Sequence, residues 1–271
     1  MSYSLQIVSI VVFLLLFIGC GSDDPARPDD GEGRVVMYLA DAPADVFTEV
    51  NVELESVEIY SEQNGWVEVR SEAAIYNLLE LTNGTMAVVV DMNVEADTYT
   101  LIRVHIGGES NIVVDGSMVD VSLSSGFQGG VELDHHIEIQ SGATAEILLD
   151  FDAHHSVSGS LTGGFTLEPV IRVQSMDDAG DISGEVVPLD ARAVVIASAE
   201  GEVVTSTYVE EQSGEFKLVG LVRGNYDLEI VARNGNYETE IKSDVNVEAG
   251  QTTNVGLIAL ESDDHEDIES Y

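Results

Sequence analysis

Val50-Asn51-Val52-Glu53-Leu54-Glu55-Ser56-Val57-Glu58-Ile59-Tyr60, followed by Asn64-Gly65 and then Trp66-Val67-Glu68-Val69, is the stretch whose reading decides the fold. Val50, Val52 and Leu54 alternate with polar residues, the two-residue period of a half-buried strand. Val57 and Ile59 continue on the opposite parity, which predicts a β-bulge near Glu55-Ser56. Asn64-Gly65 is a hairpin-turn dipeptide, because both residues accept the positive φ that a tight turn needs.

The same grammar extends in both directions. Short runs rich in Val, Ile, Leu, Tyr and Thr recur at Met86–Val90, Thr98–Ile106, Val119–Leu123, Val131–Ile139, Ala145–Phe151 and Phe165–Val173, cut by Gly, Asn, Asp and Ser. Ala74–Leu81 is the one segment expected to make a turn or two of helix, and helical periodicity is nowhere sustained over three turns. Gln174–Ile182 is polar and acidic and reads as a linker. Strands then return at Gly184–Val187, Ala193–Ala197, Val203–Tyr208, Phe216–Val219, Tyr226–Val231, Thr239–Ile241 and Asn254–Ile258, the density of a small β-sandwich. The fold expected is all-β: two β-sandwich-like domains, over residues 34–174 and 181–260, followed by an acidic tail over 261–271 expected to be disordered.

The N-terminus carries a different signal. Ile7–Ile18 is apolar apart from Ser9, of signal-sequence length and too short to span a bilayer. Phe17-Ile18-Gly19-Cys20 resembles the lipobox of bacterial lipoproteins, which implies cleavage after Gly19 and lipidation of Cys20. Cys20 is the chain's only cysteine, so no internal disulfide competes for it. Residues 1–19 are therefore expected to be a lipoprotein signal peptide and residues 20–33, rich in Pro, Gly and acid, a flexible tether. Gly21-Ser22-Asp23-Asp24 is similar to acidic surface-export signals of some Bacteroidota lipoproteins. The expected location is the cell envelope, anchored to the outer membrane or cell surface.

Charge narrows the partners. Asp and Glu number 50 against 10 Lys and Arg, a net of -40. Such a field repels nucleic acid and anionic headgroups. No EF-hand pattern is present, so Ca²⁺ or another divalent cation has no dedicated loop. The G-x-S-x-G, H-E-x-x-H, P-loop and G-x-G-x-x-G patterns are also missing, and no enzyme is expected.

Residues 35–173 resemble a bacterial and archaeal lipoprotein family catalogued as domain of unknown function number four-three-eight-two. The resemblance rests on Leu39–Asp45, Val57-Glu58-Ile59 before Trp66, Asn77–Gly84, Tyr99–Arg103, Leu149–Ala153 and Leu167–Val173. It implies an extracytoplasmic β-sandwich-like fold and no known activity. The second domain resembles the carboxypeptidase regulatory-like, prealbumin-type sandwich, on Ser213–Leu218, Gly220-Leu221 and Gly224–Leu228. That module is kin to carbohydrate-binding folds, and kinship of fold alone assigns no ligand.

Several residues remain as candidates for chemistry. Asp150, Asp152 and His154 would share one face if their strand continued, and could hold a metal ion with His155 or Glu146 completing the site. The competing reading makes the aspartates caps of turn amides. His135 joins the apolar face of Val131–Ile139 and His136 the acidic face. Arg103 and Arg172 sit among apolar strand residues and call for carboxylate partners, with Asp41, Asp45 and, for Arg172, Asp152 as candidates. Trp66 could stack on a sugar, although it reads first as core. The function expected is non-catalytic binding of a ligand, carbohydrate foremost, or adhesion to envelope proteins. A metal-dependent hydrolase built on Asp150, Asp152 and His154 is the alternative, and a structural spacer is the third reading.

Overall fold

The computed structural model describes residues 31–42 and 47–263. The signal peptide, Cys20, residues 21–30 of the tether, Asp45 and most of the acidic tail lie outside the described residues; Glu32 and Gly33, expected in the tether, are instead the first residues of a strand, paired with Glu95 and Val94.

The chain is all-β. The first domain contains β1 (Glu32–Ala42), β2 (Glu49–Ser61), β3 (Gly65–Arg70), β4 (Ala74–Asn77), β5 (Ala87–Glu95), β6 (Asp97–Ile106) and β7 (Asn111–Val114). It continues with β8 (Ser117–Leu123), β9 (Val131–Ile139), β10 (Thr144–Asp152), a single helical turn α1 (Ala153–Ser156), β11 (Val157–Ser160), β12 (Gly164–Leu167) and β13 (Ile171–Ser175). The second contains β14 (Ala179–Val187), β15 (Val194–Ala199), β16 (Glu202–Tyr208), β17 (Glu215–Val222), β18 (Gly224–Val231), β19 (Glu240–Val247) and β20 (Thr252–Ala259).

In the first domain, a four-stranded sheet of order β13-β10-β1-β5 faces a nine-stranded sheet of order β11-β12-β8-β7-β2-β6-β9. The long strand β2 organises the larger sheet. Val50, Val52, Leu54, Val57 and Ile59 are all buried, and the pairing of β2 with β6 slips between Leu54 and Ser56. The bulge is where the inward parity changes, as the alternation predicts. Ser61 pairs with Gly65 at the hairpin end, and Gly65 has φ 67. The other edge of β2 is taken by β3 and β4.

The segment expected to be helical is different. Ala74–Asn77 pairs with β2, and only Leu78–Glu80 turns, as a 3-10 helix. Pairing with the exposed edge of β2 satisfies backbone groups that an isolated helical turn would leave open. The single strand expected over Phe165–Val173 is two strands in two different sheets, interrupted before Ile171. Pro169 has no N–H to give a ladder, and the chain crosses between sheets there. The linker expected over Gln174–Ile182 shrinks to the 3-10 turn Met176–Asp178, because β13 runs to Ser175 and β14 begins at Ala179.

The second domain packs β17-β14-β20 against β16-β15-β18-β19 over its own core, which includes Ile182, Val195, Phe216, Leu218, Leu228 and Ile230. No helix among the described residues is long and apolar enough to cross a membrane.

The two domains meet on the outward face of the smaller first-domain sheet. Leu148 alternates with the inward Ile147 and Leu149, yet is fully buried. Gly220 of β17 explains it: a Cβ there would run into the Leu148 side chain. Asn83 supplies the second contact. Its N–H donates to Thr207 Oγ1 at 2.8 Å, its Oδ1 accepts from the Lys217 N–H at 2.6 Å, and its Nδ2 donates to Glu215 O at 3.4 Å. Thr207 and Lys217 belong to opposite sheets of the second sandwich, so one first-domain residue clamps both, with its backbone N–H on one sheet and its side chain on the other.

Candidate functional site

Between the domains lies a cleft of about 620 Å³, lined by Asp150, Asp152, His154, His155 and Arg172 on one side and by Val203, Thr205 and Ser206 on the other. The sequence candidates thus share one location, but they do not converge as a metal centre. β10 ends at Asp152, and the chain turns into α1 rather than continuing extended. The carboxylate of Asp152 accepts from the His155 N–H at 2.9 Å and from His155 Nδ1 at 2.7 Å. It is a helix-cap residue, the competing reading from sequence. His154 faces solvent, its ring edge-on to that of His155 at 5.0 Å. Glu146 is engaged by the Tyr38 hydroxyl at 2.6 Å. Among the described residues no group of three or more His, Cys, Asp or Glu side chains could hold a metal ion.

At the base of the cleft, Asp150 stands opposite Arg172 in the antiparallel pairing of β10 with β13. Arg172 Nη2 and Nε donate to Asp150 Oδ2 at 2.7 and 3.2 Å, and Nη1 donates across the domain boundary to Gly220 O at 2.6 Å. The partner of Arg172 is therefore Asp150, not Asp41 or Asp152. Register explains the choice. Asp41 pairs with Phe151 in the parallel ladder of β1 and β10, so it shares the inward face, whereas Asp150 projects outward with Arg172.

Asp41 has another role. Its Oδ1 accepts from the Ala153 N–H at 2.9 Å and holds the first amide of α1, while Oδ2 is buried with no partner. Burial, reinforced by the nearby Asp150 and Asp152 charges, pushes the Asp41 carboxyl well above the ordinary carboxylate range. Ser156 closes the other end of α1, with Oγ accepting from the Val170 N–H at 2.9 Å.

The remaining candidates lie elsewhere. Arg103 is held by Glu132 (Nη2–Oε1 2.7 Å) and Glu58 (Nη1–Oε2 3.2 Å), not by Asp41, and lies 3.6 Å from the centroid of the Trp66 ring. Trp66 is accordingly half-buried on the outer face of the larger sheet, beside Tyr60 at 5.2 Å, rather than in the core. His105 Nε2 is 3.0 Å from Glu58 Oε2, and this contact, with Arg103, holds the Glu58 carboxyl below its usual range. His135 is half-buried against Ser175 Oγ at 3.0 Å; burial, and then the neighbouring His136, lower its basicity. His136 is exposed, as the parity requires. Asn83 and Val203 were invisible in the sequence, since their importance comes from contacts across more than a hundred residues.

These features define an all-β protein of two packed sandwiches in which Asp150, Asp152, His154, His155 and Arg172 gather at the junction between them. The chain belongs to the family described as "Domain of unknown function (DUF4382)", which matches residues 32–169. No curated protein matches the chain. Among solved structures it is similar to the Bacillus anthracis TIE protein, at 13% identity and a TM-score of 0.23, with 86% of this chain and 35% of that one covered. It is also similar to the minor pilin of Streptococcus agalactiae, at 12% identity and a TM-score of 0.24, covering 87% of this chain and 99% of that one. A putative adhesin from Bacteroides ovatus aligns at 11% identity and a TM-score of 0.21, over 83% and 88% of the two chains. The chain thus spans about a third of the TIE protein's length. Likeness at this level carries no statement about function.

Proposed function

We propose that this is a lipid-anchored, non-catalytic protein of the cell envelope that binds a neutral carbohydrate in the interdomain cleft, with Cys20 as the lipidated residue. The observation that carries the reading is the composition of the cleft walls. Asp150 and Arg172 satisfy each other and Asp152 is occupied by His155, so neither aspartate is poised as a general acid or base, and Glu202 on the opposite wall is the remaining carboxylate of the lining. What faces the cleft is exposed apolar surface, Val170 at 46% and Val203 at 66%, together with two imidazoles and the hydroxyls of Thr205 and Ser206. Apolar patches beside hydroxyl-compatible donors and acceptors suit a sugar ring. On this reading the second domain is a carboxypeptidase regulatory-like module forming the far wall, and the membrane is reached through the anchor.

A glycan array probed with the soluble chain tests the binding. Val203→Asp and His154→Ala should abolish signals that Trp66→Ala leaves intact, since Trp66 lies away from the cleft. Retention of all signals in the Val203 and His154 variants would refute the assignment. The anchor is tested separately: Cys20→Ser should stop incorporation of labelled fatty acid. The spacer reading is favoured by one feature, the clamp of Asn83 on both sheets of the second domain, which suits a rigid rod.

A further inference from the structure

Two strand edges of the first domain face each other unpaired. β13 pairs with β10 only from Ile147 to Phe151, because the chain leaves the sheet after Ser175 through the 3-10 turn Met176–Asp178. Thr144, Ala145 and Glu146 therefore have β1 on one side and, among the described residues, no strand on the other. β9 ends the facing sheet and, among the described residues, pairs only with β6. Its register with β6 slips between Tyr99 and Leu101, so the regular part of its free edge is Ile137–Ile139. A groove of about 520 Å³ is lined by residues of both edges.

An open edge leaves backbone N–H and C=O groups that a further strand can satisfy. The side chains around this groove decide which strand. His136, Glu138, Asp177 and Asp178 line it and are exposed, and no lysine or arginine does. Glu138 is met by the neutral Gln140 side chain, with Nε2 donating to Oε1 at 3.0 Å. No ion pair among the described residues neutralises Glu138, Asp177 or Asp178. Along β9, His136 and Glu138 point outward while Ile137 is buried. A strand laid beside it thus sets alternate residues next to the acidic face and the others next to apolar surface. The same charges exclude the chain's own segments. A second copy carries a net charge of -40, and residues 21–30 hold four aspartates against one arginine, with two prolines that have no N–H to give.

We propose that this groove docks an extended basic segment of a partner protein, added as a strand along Ile137–Ile139 with Lys or Arg at alternate positions toward Glu138, Asp177 and Asp178. Main-chain bonds to the open edge supply affinity, and the carboxylates select the charge. The site shares no residue with the interdomain cleft and stands whether or not the cleft binds glycan.

The test is a titration of the full chain with short peptides, followed by ¹H–¹⁵N correlation spectra at constant ionic strength. The probes are a peptide of alternating Lys and Val, one of alternating Glu and Val, and the Lys-Val peptide methylated at every backbone nitrogen. The Lys-Val peptide should bind saturably, shift the amides of Ile137–Ile139 and Thr144–Glu146, and slow amide exchange along the edge. The Glu-Val peptide should not bind. The methylated peptide, equal in charge but without backbone donors, should bind at least about tenfold more weakly. Asp177→Asn combined with Asp178→Asn should weaken binding about fivefold or more. Glu229→Gln combined with Glu240→Gln makes the same charge change at exposed positions of the second domain and should leave binding intact. Equal binding of the methylated peptide, equal losses in the two double variants, or no saturable binding of the Lys-Val peptide would overturn the site. So would binding seen only after residues 21–30 are removed, since the chain's own leading segment would then be the occupant.

Discussion

Arg172 and Asp150 face each other across neighbouring antiparallel strands at 2.7 Å, and the same guanidinium reaches into the second domain to Gly220 O at 2.6 Å. One side chain therefore serves the secondary structure of one domain and the packing of two. The Asp150 side chain is 10% exposed and that of Arg172 26%, so water screens the pair only in part.

Replacing Arg172 with Met should leave Asp150 unpaired near the interface and Gly220 O without a donor. Breaking a buried pair costs about 3–5 kcal/mol and an exposed one about 0–1. The partial exposure of Arg172 places its loss between these, about 2–3 kcal/mol. Arg192→Met, with its distant and solvated partner, should cost less than about 1 kcal/mol. Urea titrations of both variants check the contrast, and equal small losses would show that the interdomain pair contributes nothing.

Asn83→Ala removes the two side-chain bonds to β17, at Lys217 and Glu215, keeps the backbone bond to Thr207, and places Ala at a left-handed φ of 54, without touching either core. Its hydrogen bonds should be worth about 1–2 kcal/mol in net terms. The informative readout is cooperativity: calorimetry should resolve two transitions in the variant where the parent melts in one. Asn93→Ala, at an exposed position on β5, is the matched control.

Asp41 predicts a pH dependence. Its folded carboxyl titrates above the unfolded value, so between the two the unfolded chain holds fewer protons. Stability from this group is therefore undiminished below the unfolded carboxylate range and falls as pH climbs toward the raised folded value. Asp41→Asn keeps an acceptor for the Ala153 N–H and cannot ionise. The stability difference between parent and variant should move in the variant's favour as pH rises from about 4. A difference independent of pH in chemical denaturation from pH 4 to 8 would exclude an ionisable role.

The imbalance of 50 acidic against 10 basic residues predicts self-repulsion that salt relieves. The melting temperature should rise with NaCl, and divalent cations should act at lower concentration through stronger screening. A melting temperature flat from low to high salt would mean that the acidic residues are too dispersed to repel one another appreciably.

Period-two alternation is local, so residue order alone specifies the all-β class, the bulge near Glu55-Ser56, the Asn64-Gly65 turn and the opposite facing of His135 and His136. Each follows from the fixed geometry of an extended chain, in which neighbouring side chains point to opposite faces. The clustering of Asp150, Asp152 and His154 was also legible, because they are adjacent in sequence. Their chemistry was not, since strand and helical turn diverge after Asp152 and redirect His154. That Arg172 pairs with Asp150 while Asp41 turns inward emerges only in the folded chain, because strand register is set by long-range pairing. Long-range pairing also turned Phe165–Val173 into two strands and placed Trp66 outside the core under Arg103. The cleft arises the same way, from residues that meet only when sheets close and domains dock, which no local period encodes.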